Sequence, residues 1–116
     1  MRRRVADQGE IWHVNLAPTS GREQQGMRYV FVMSHQVANK ISGVVLIAPI
    51  TQGGEYSRVA GFAVPLSGSG CHTQGVIIVS QCRTLDFEAR GAKFVERVDA
   101  VVVSDALMRF LPIVSD

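Results

Sequence analysis

GEIWHVNLAPTSGREQQG, residues Gly9 to Gly26 and followed by Met27-Arg28, is the stretch whose reading decides the fold. Its first half alternates. Glu10, Trp12, Val14 and Leu16 fall on one side of an extended strand, and Ile11, His13 and Asn15 fall on the other. Ala17-Pro18 ends the pairing, because proline offers no backbone donor. From Thr19 to Gly26 there is almost nothing to bury, yet Arg22, Glu23, Gln24 and Gln25 stand between two glycines. Such a loop is either a solvated hairpin connection or a place for binding and chemistry.

Outward from this stretch the chain reads as strand after strand. The pattern predicts strands over Tyr29–Met33, Val44–Ile50, Val59–Leu66 with a bulge at Gly61, Gly75–Val79 and Lys93–Arg97. Gln36–Lys40 reads as one helical turn, and Gly53-Gly54 and Ser67–Gly70 as turns. Asp99 is the expected N-cap of a C-terminal helix burying Val103, Leu107, Phe110 and Leu111. The valine run Val101–Val103 weakens its opening turn, and Pro112 is expected to end or kink it. Short strands with glycine-rich turns predict a mainly β fold with a C-terminal helix, built as a small, strongly twisted antiparallel barrel. Residues 1–8 are expected to form a basic, disordered arm carrying Arg2, Arg3 and Arg4, and residues 9–116 a single domain.

Composition bounds the function. With 116 residues, 47% hydrophobic and 19% charged, the chain is globular. No apolar run reaches the roughly 18–20 residues needed to cross a bilayer. The start MRRRVADQ lacks the apolar segment of a signal peptide, so a cytoplasmic protein is expected. Cys71 and Cys82 lack CxxC spacing, and neither a metal nor a cofactor is expected. Net charge is only +2, but ten of the twelve cations are arginines, whose planar fork suits phosphate. Arg22, Arg28, Arg58, Arg83 and Arg90 fall in or beside predicted loops; ordinary surface charge accounts for about half of such residues.

Arginines in loops suit a phosphodiester backbone; if that backbone is RNA, it can be cut by letting its own 2′-OH attack the adjacent phosphorus. That reaction needs a proton acceptor, a donor to the leaving 5′-oxygen, and fixed positive charge on the phosphorane. Arg28, held at the loop base by the strand it begins, is the candidate cation. Thr51 ends the Val44–Ile50 strand, and its hydroxyl is placed either to bond a nonbridging phosphate oxygen or to bond its own turn. His13, His35 and His72 have no neighbouring carboxylate that would mark a catalytic base.

The opening segment resembles the MazF/PemK family of toxin ribonucleases, nearest in pattern to the PemK/Kid and ChpB branch. The resemblance continues through APITQGGEYSRVAGFAVPL (Ala48–Leu66), TQGVIIVSQCRTLDFEARGAK (Thr73–Lys93) and the C-terminal amphipathic segment. It implies an SH3-like barrel of the MazF/PemK/CcdB kind. It also implies the toxin of a type II toxin–antitoxin system, a sequence-specific, metal-independent endoribonuclease that leaves a 2′,3′-cyclic phosphate and a 5′-OH on single-stranded messenger RNA. In MazF-type enzymes an arginine and a threonine in the contexts of Arg28 and Thr51 form the catalytic pair, and the glutamate of the loop EQ motif is present as Glu23. The substrate-binding residues expected are Arg22, Gln24, Gln25, Gln52, Arg58, Phe62, Gln74, Ser80 and Arg83. Specificity is expected in the loops Thr19–Gly26, Gln52–Arg58 and His72–Gln74. The partners implied are a second copy of the chain and an acidic MazE/PemI-like antitoxin, its tail covering arginines and capping Trp12 or Phe62.

The match has gaps. Where the Kid branch carries an arginine and an aspartate as proposed acid and base, this chain has Ile78 and Ser80, and Arg22 replaces Kid's loop histidine. Tyr29 stands where the family usually has proline, a change that either shifts Arg28 slightly or adds an aromatic surface for base stacking. The Kid mechanism is therefore not carried over whole, whereas the MazF-like pair is. Two alternatives remain at this point: a catalytically inactive barrel that binds RNA or protein, and a CcdB-like gyrase poison. The chain ends Leu-Pro-Ile-Val-Ser-Asp and has only Trp12, which disfavours the tryptophan-tailed gyrase poison.

Overall fold

The computed structural model describes residues 4–16, 26–52 and 61–115. Among them the chain forms β1 (Glu10–Asn15), β2 (Met27–Val32), α1 (Gln36–Ser42), β3 (Val45–Thr51), β4 (Ala63–Pro65), β5 (Val76–Ile78), β6 (Arg83–Leu85), β7 (Lys93–Arg97) and α2 (Ala100–Val114). The strands pair in the order β4-β5-β3-β2-β1-β7, every ladder antiparallel, with β6 also on β3. β3 is the pivot. Its end, Ile50-Thr51, pairs with β5, while its first half, Val45–Ile47, pairs with β6. A 3-10 turn, Val79–Gln81, bridges the split, so one long strand serves two short ones and the sheet curls into a small barrel.

Both faces of the sheet are covered. Ile11, Phe31, Ala48 and Ile77 pack with Val102 and Ala106 of α2 on one side, while Trp12, Val14, Val30, Ile47 and Phe87 pack together on the other. Ile11 and Val14 are both fully buried, so the alternation predicted for β1 separates two cores rather than a core from solvent. Each such side chain contributes about 1.5–3 kcal/mol on burial. Residues 4–8 of the expected arm also belong to the packed domain: Ala6 joins the second cluster and Arg4 bonds Glu10 at 2.7 Å.

Glu10 is fully buried. Its carboxylate accepts from Arg4 Nη2, Arg97 Nη2, Trp12 Nε1 and the Asp7 N–H, at 2.7, 2.9, 2.9 and 3.0 Å. This is how a charge in the middle of the strand pattern is tolerated.

Several expectations need correction. Gly61 forms no bulge; with Phe62 it lies in a tight helical turn before β4, and the predicted strand from Val59 and the Gly53-Gly54 turn fall outside the described residues. Asp99 does cap α2, accepting from the Val101 N–H at 3.1 Å, worth about 1 kcal/mol. Val102 and Ala106 centre its buried face; Val103, Leu107 and Phe110 flank them, and Leu111 is 57% exposed. The helical step simply carries Leu111 past the contact. Nor does Pro112 end the helix, which runs to Val114 with Ser115 N–H bonded to the Leu111 carbonyl. So near the terminus the missing donor costs the helix a single backbone hydrogen bond. No helix among the described residues is long and apolar enough to cross a membrane.

Candidate active site

Arg28 pairs across β1–β2 with Val14, and Val30 pairs across β2–β3 with Pro49. Continuing that second register by two residues sets Arg28 opposite Thr51 on one face of the sheet. Arg28 is exposed and Thr51 half-buried, so the row is open to solvent at the end of the sheet from which the Ala17–Gln25 segment departs. Arg83, exposed and opposite Ile47 on β6, shares this face, four residues along β3 from Thr51, about 13 Å.

Gln52 and Gln74 come together beside this row: Gln52 Nε2 donates to the Gln74 carbonyl at 3.2 Å. Gly75 lies underneath, at φ +125°, where a methyl group would stand 2.6 Å from the Thr51 carbonyl. Only glycine allows the two backbones to approach so closely. The preceding loop is held by Glu96 of β7, whose carboxylate accepts from His72 N–H (3.0 Å), Thr73 N–H (2.7 Å) and Thr73 Oγ1 (2.6 Å). Burial pulls the Glu96 carboxyl up, but those bonds and the charge of His72 outweigh it and hold it below its ordinary value.

The other expected residues sort as follows. Ser80 is exposed in the 3-10 turn where β3 changes partner, and Ile78 is 4% exposed and paired with Ala63. An arginine's role thus has no successor at 78. Phe62 packs against the α2-covered cluster, away from the Arg28 face. Arg22, Glu23, Gln24, Gln25 and Arg58 lie outside the described residues.

Two aromatic expectations are overturned. Tyr29 alternates to the opposite face from Arg28 and stacks on His13 with ring centroids 4.5 Å apart, so it presents no platform beside the cation. Trp12 is 4% exposed, lies between Phe87 and Phe94, and gives its N–H to Glu10, so of the two expected tail contacts the one on Trp12 is overturned and the half-buried Phe62 is left. Arg90, one of the loop arginines singled out in the sequence, is half-buried and has a role not foreseen: it donates to the Asn15 carbonyl at 3.2 Å and steadies the end of β1 where the polar loop begins. The contact spans 75 residues and leaves no local sequence signal. Among the described residues no three His, Cys, Asp or Glu side chains gather as a metal-ligand set, and Cys71 and Cys82 are separate thiols.

Residues 7–113 match the family model for the PemK-like, MazF-like toxin of type II toxin–antitoxin systems. Endoribonuclease PemK of Escherichia coli is 42% identical over 109 residues, covering 94% of this chain and 82% of the relative. Endoribonuclease toxin ChpB of Escherichia coli (strain K12) is 43% identical over 109 residues, covering 93% of each. Among solved structures, that of MazF from Deinococcus radiodurans superposes with a TM-score of 0.78 at 27% identity, covering 96% of this chain and 97% of that one. The fold and these likenesses agree: the chain belongs to the PemK-like, MazF-like toxin family of type II toxin–antitoxin systems.

Proposed function

We propose that this toxin is an endoribonuclease that cleaves single-stranded messenger RNA in the cytoplasm without a metal ion, at a centre formed by Arg28 and Thr51. The observation that carries the reading is their register: Arg28 and Thr51 each stand two residues past the Val30–Pro49 pair, at the open end of the sheet, beside a lip made by Gln52 and Gln74. The 2′-oxygen attacks phosphorus and gives up its proton, the P–O5′ bond breaks, and the 5′-oxygen takes a proton. The products are a 2′,3′-cyclic phosphate and a 5′-OH. Arg28 neutralises the charge that gathers on the nonbridging oxygens, and the Thr51 hydroxyl donates to one of them. Glu23, the single carboxylate between Asn15 and Arg28, serves as the proton acceptor. Gln52 and Gln74, with Gln24 and Gln25, read base edges of unstacked nucleotides.

A homodimer fits the surface. Val101, Met108, Leu111 and Val114 are 57–73% exposed on α2, a face suited to a second copy of the chain. The antitoxin follows from the family and from related structures described as MazE–MazF complexes from Deinococcus radiodurans. An acidic tail laid over Arg28 and Arg83 imitates RNA phosphate, and its affinity falls as salt rises. Incubating the purified protein with a long RNA in EDTA tests the reading. Discrete fragments support the nuclease, whereas intact RNA with retained binding supports an inactive binding module.

A further inference from the structure

β7 is the edge of the sheet, yet its Glu96 reaches across to the loop that leads into β5. Three donors converge on this one carboxylate: the N–H groups of His72 and Thr73 and the Thr73 hydroxyl, all within 2.6–3.0 Å. Thr73 is 8% exposed, so the two bonds it gives are partly sheltered from water, while the His72 bond lies at the surface. The ion pairs of the described residues form elsewhere, and the Glu96 oxygens serve the loop.

The loop so held ends against the reaction centre. The Gly75 carbonyl accepts from the Leu66 N–H at 3.0 Å, which closes the loop base. Gly75 itself packs on the Thr51 carbonyl, Gln74 takes the amide of Gln52, and Val76 pairs with Thr51. A continuous path of side-chain and backbone contacts therefore runs from the Glu96 carboxylate through Thr73 to Thr51 and the Gln52 amide.

We propose that Glu96 is a positioning residue for this site: by clamping His72-Thr73 it fixes Gln74 and Gly75, and through them the placement of Thr51 and Gln52 toward the RNA. The inference rests on the nuclease reading for its functional half. A carboxylate suits the task because its two oxygens accept several donors at once. Glutamine keeps the shape but turns an N–H₂ group toward backbone N–H groups.

The test compares the full-length parent with Glu96→Gln, Thr73→Val and Thr73→Ser on an oligonucleotide carrying the protein's own cleavage motif, mapped from a long RNA. Glu96→Gln and Thr73→Val should raise KM by about ten-fold, with a smaller change in kcat, and relax the motif, while Thr73→Ser restores the parent values. A merely structural role lowers melting temperature and active fraction but leaves KM and motif alone. The same variants are read by amide NMR without RNA. The Thr51 and Gln52 amides should shift in Glu96→Gln, or in Thr73→Val if the first does not fold. Shifts confined to residues 72 and 73, or an unchanged KM and motif, overturn the proposal. If the parent cuts no RNA the nuclease reading falls, and the Thr51 and Gln52 amides still decide whether Glu96 positions them.

Discussion

In the register that joins Val30 to Pro49, Arg28 and Thr51 each stand two residues further along their strands, toward the open end of the sheet. Neither position serves a core. Arg28 is exposed, and its strand neighbour Tyr29 turns to the other face. Val14, Arg28 and Thr51 thus lie on three adjacent strands toward one end of the sheet, which brings a cation and a hydroxyl to the same end.

Replacing Arg28 by alanine should abolish most cleavage, by about 10²–10³-fold, since it removes a preorganised charge from the phosphorane. Stability should stay within about 0.5 kcal/mol, as for an exposed surface change. A rate close to the parent's would remove Arg28 from the reaction centre. Arg28→Lys should recover only part of the loss, because an ammonium lacks the two-pronged donor geometry.

Thr51→Val keeps the shape and the β-branch but deletes the hydroxyl. Single-turnover cleavage should slow by at least about ten-fold while the melting temperature stays near the parent's. A collapse in melting temperature instead assigns the hydroxyl to the turn.

Gly75→Ala places a methyl group against the Thr51 carbonyl at a positive φ. The variant should lose about 1–3 kcal/mol of stability and, where still folded, should cleave more slowly through a displaced Thr51. Parent-like unfolding and cleavage would show that the backbones have room to spare.

Glu10 holds Arg4 and Arg97 together with the Trp12 and Asp7 N–H groups. Glu10→Ala leaves the buried indole N–H without its acceptor and should cost roughly 2–4 kcal/mol in chemical denaturation. The folded fraction should cleave RNA at the parent rate. A loss under about 0.5 kcal/mol would contradict the structural role given to this carboxylate.

Acid should weaken the fold through Asp7 and Glu96. Burial raises both carboxyls, but for Asp7 the N–H groups of Gln36 and Gln8 and the Arg97 guanidinium outweigh it, as the Thr73 and His72 bonds do for Glu96. Both folded values lie below the ordinary 3.8 and 4.5, so their stabilisation is complete above those values and is lost as pH falls through the folded ones. Denaturation midpoints should decline in acid below about pH 4, and less steeply in Asp7→Asn/Glu96→Gln. Equal slopes for variant and parent would rule out this source.

Much of the fold is legible in the sequence where periodicity is local. The alternation from Glu10 to Asn15, the apolar run of β3 and the Asp99 cap each report an element directly. What is not legible depends on distant partners. Glu10 shares a strand side with Trp12 and Val14, but its partner Arg97 reaches it from 87 residues away. Trp12 looks available until Phe87 and Phe94 close over it. The resemblance identified Arg28 and Thr51 as a pair, but their facing positions come from strand register, and the support beneath Thr51 comes from Gly75 and Glu96, which no local pattern announces.

The most direct test of the central claim is a double-mutant cycle on cleavage, comparing the parent with Arg28→Ala, Thr51→Val and the double variant in single-turnover assays. If both side chains act on one phosphoryl group, their effects are strongly non-additive, and the double variant is hardly slower than Arg28→Ala alone. A double variant slowed by the product of the two single effects would show that Arg28 and Thr51 act independently, and would contradict a shared reaction centre.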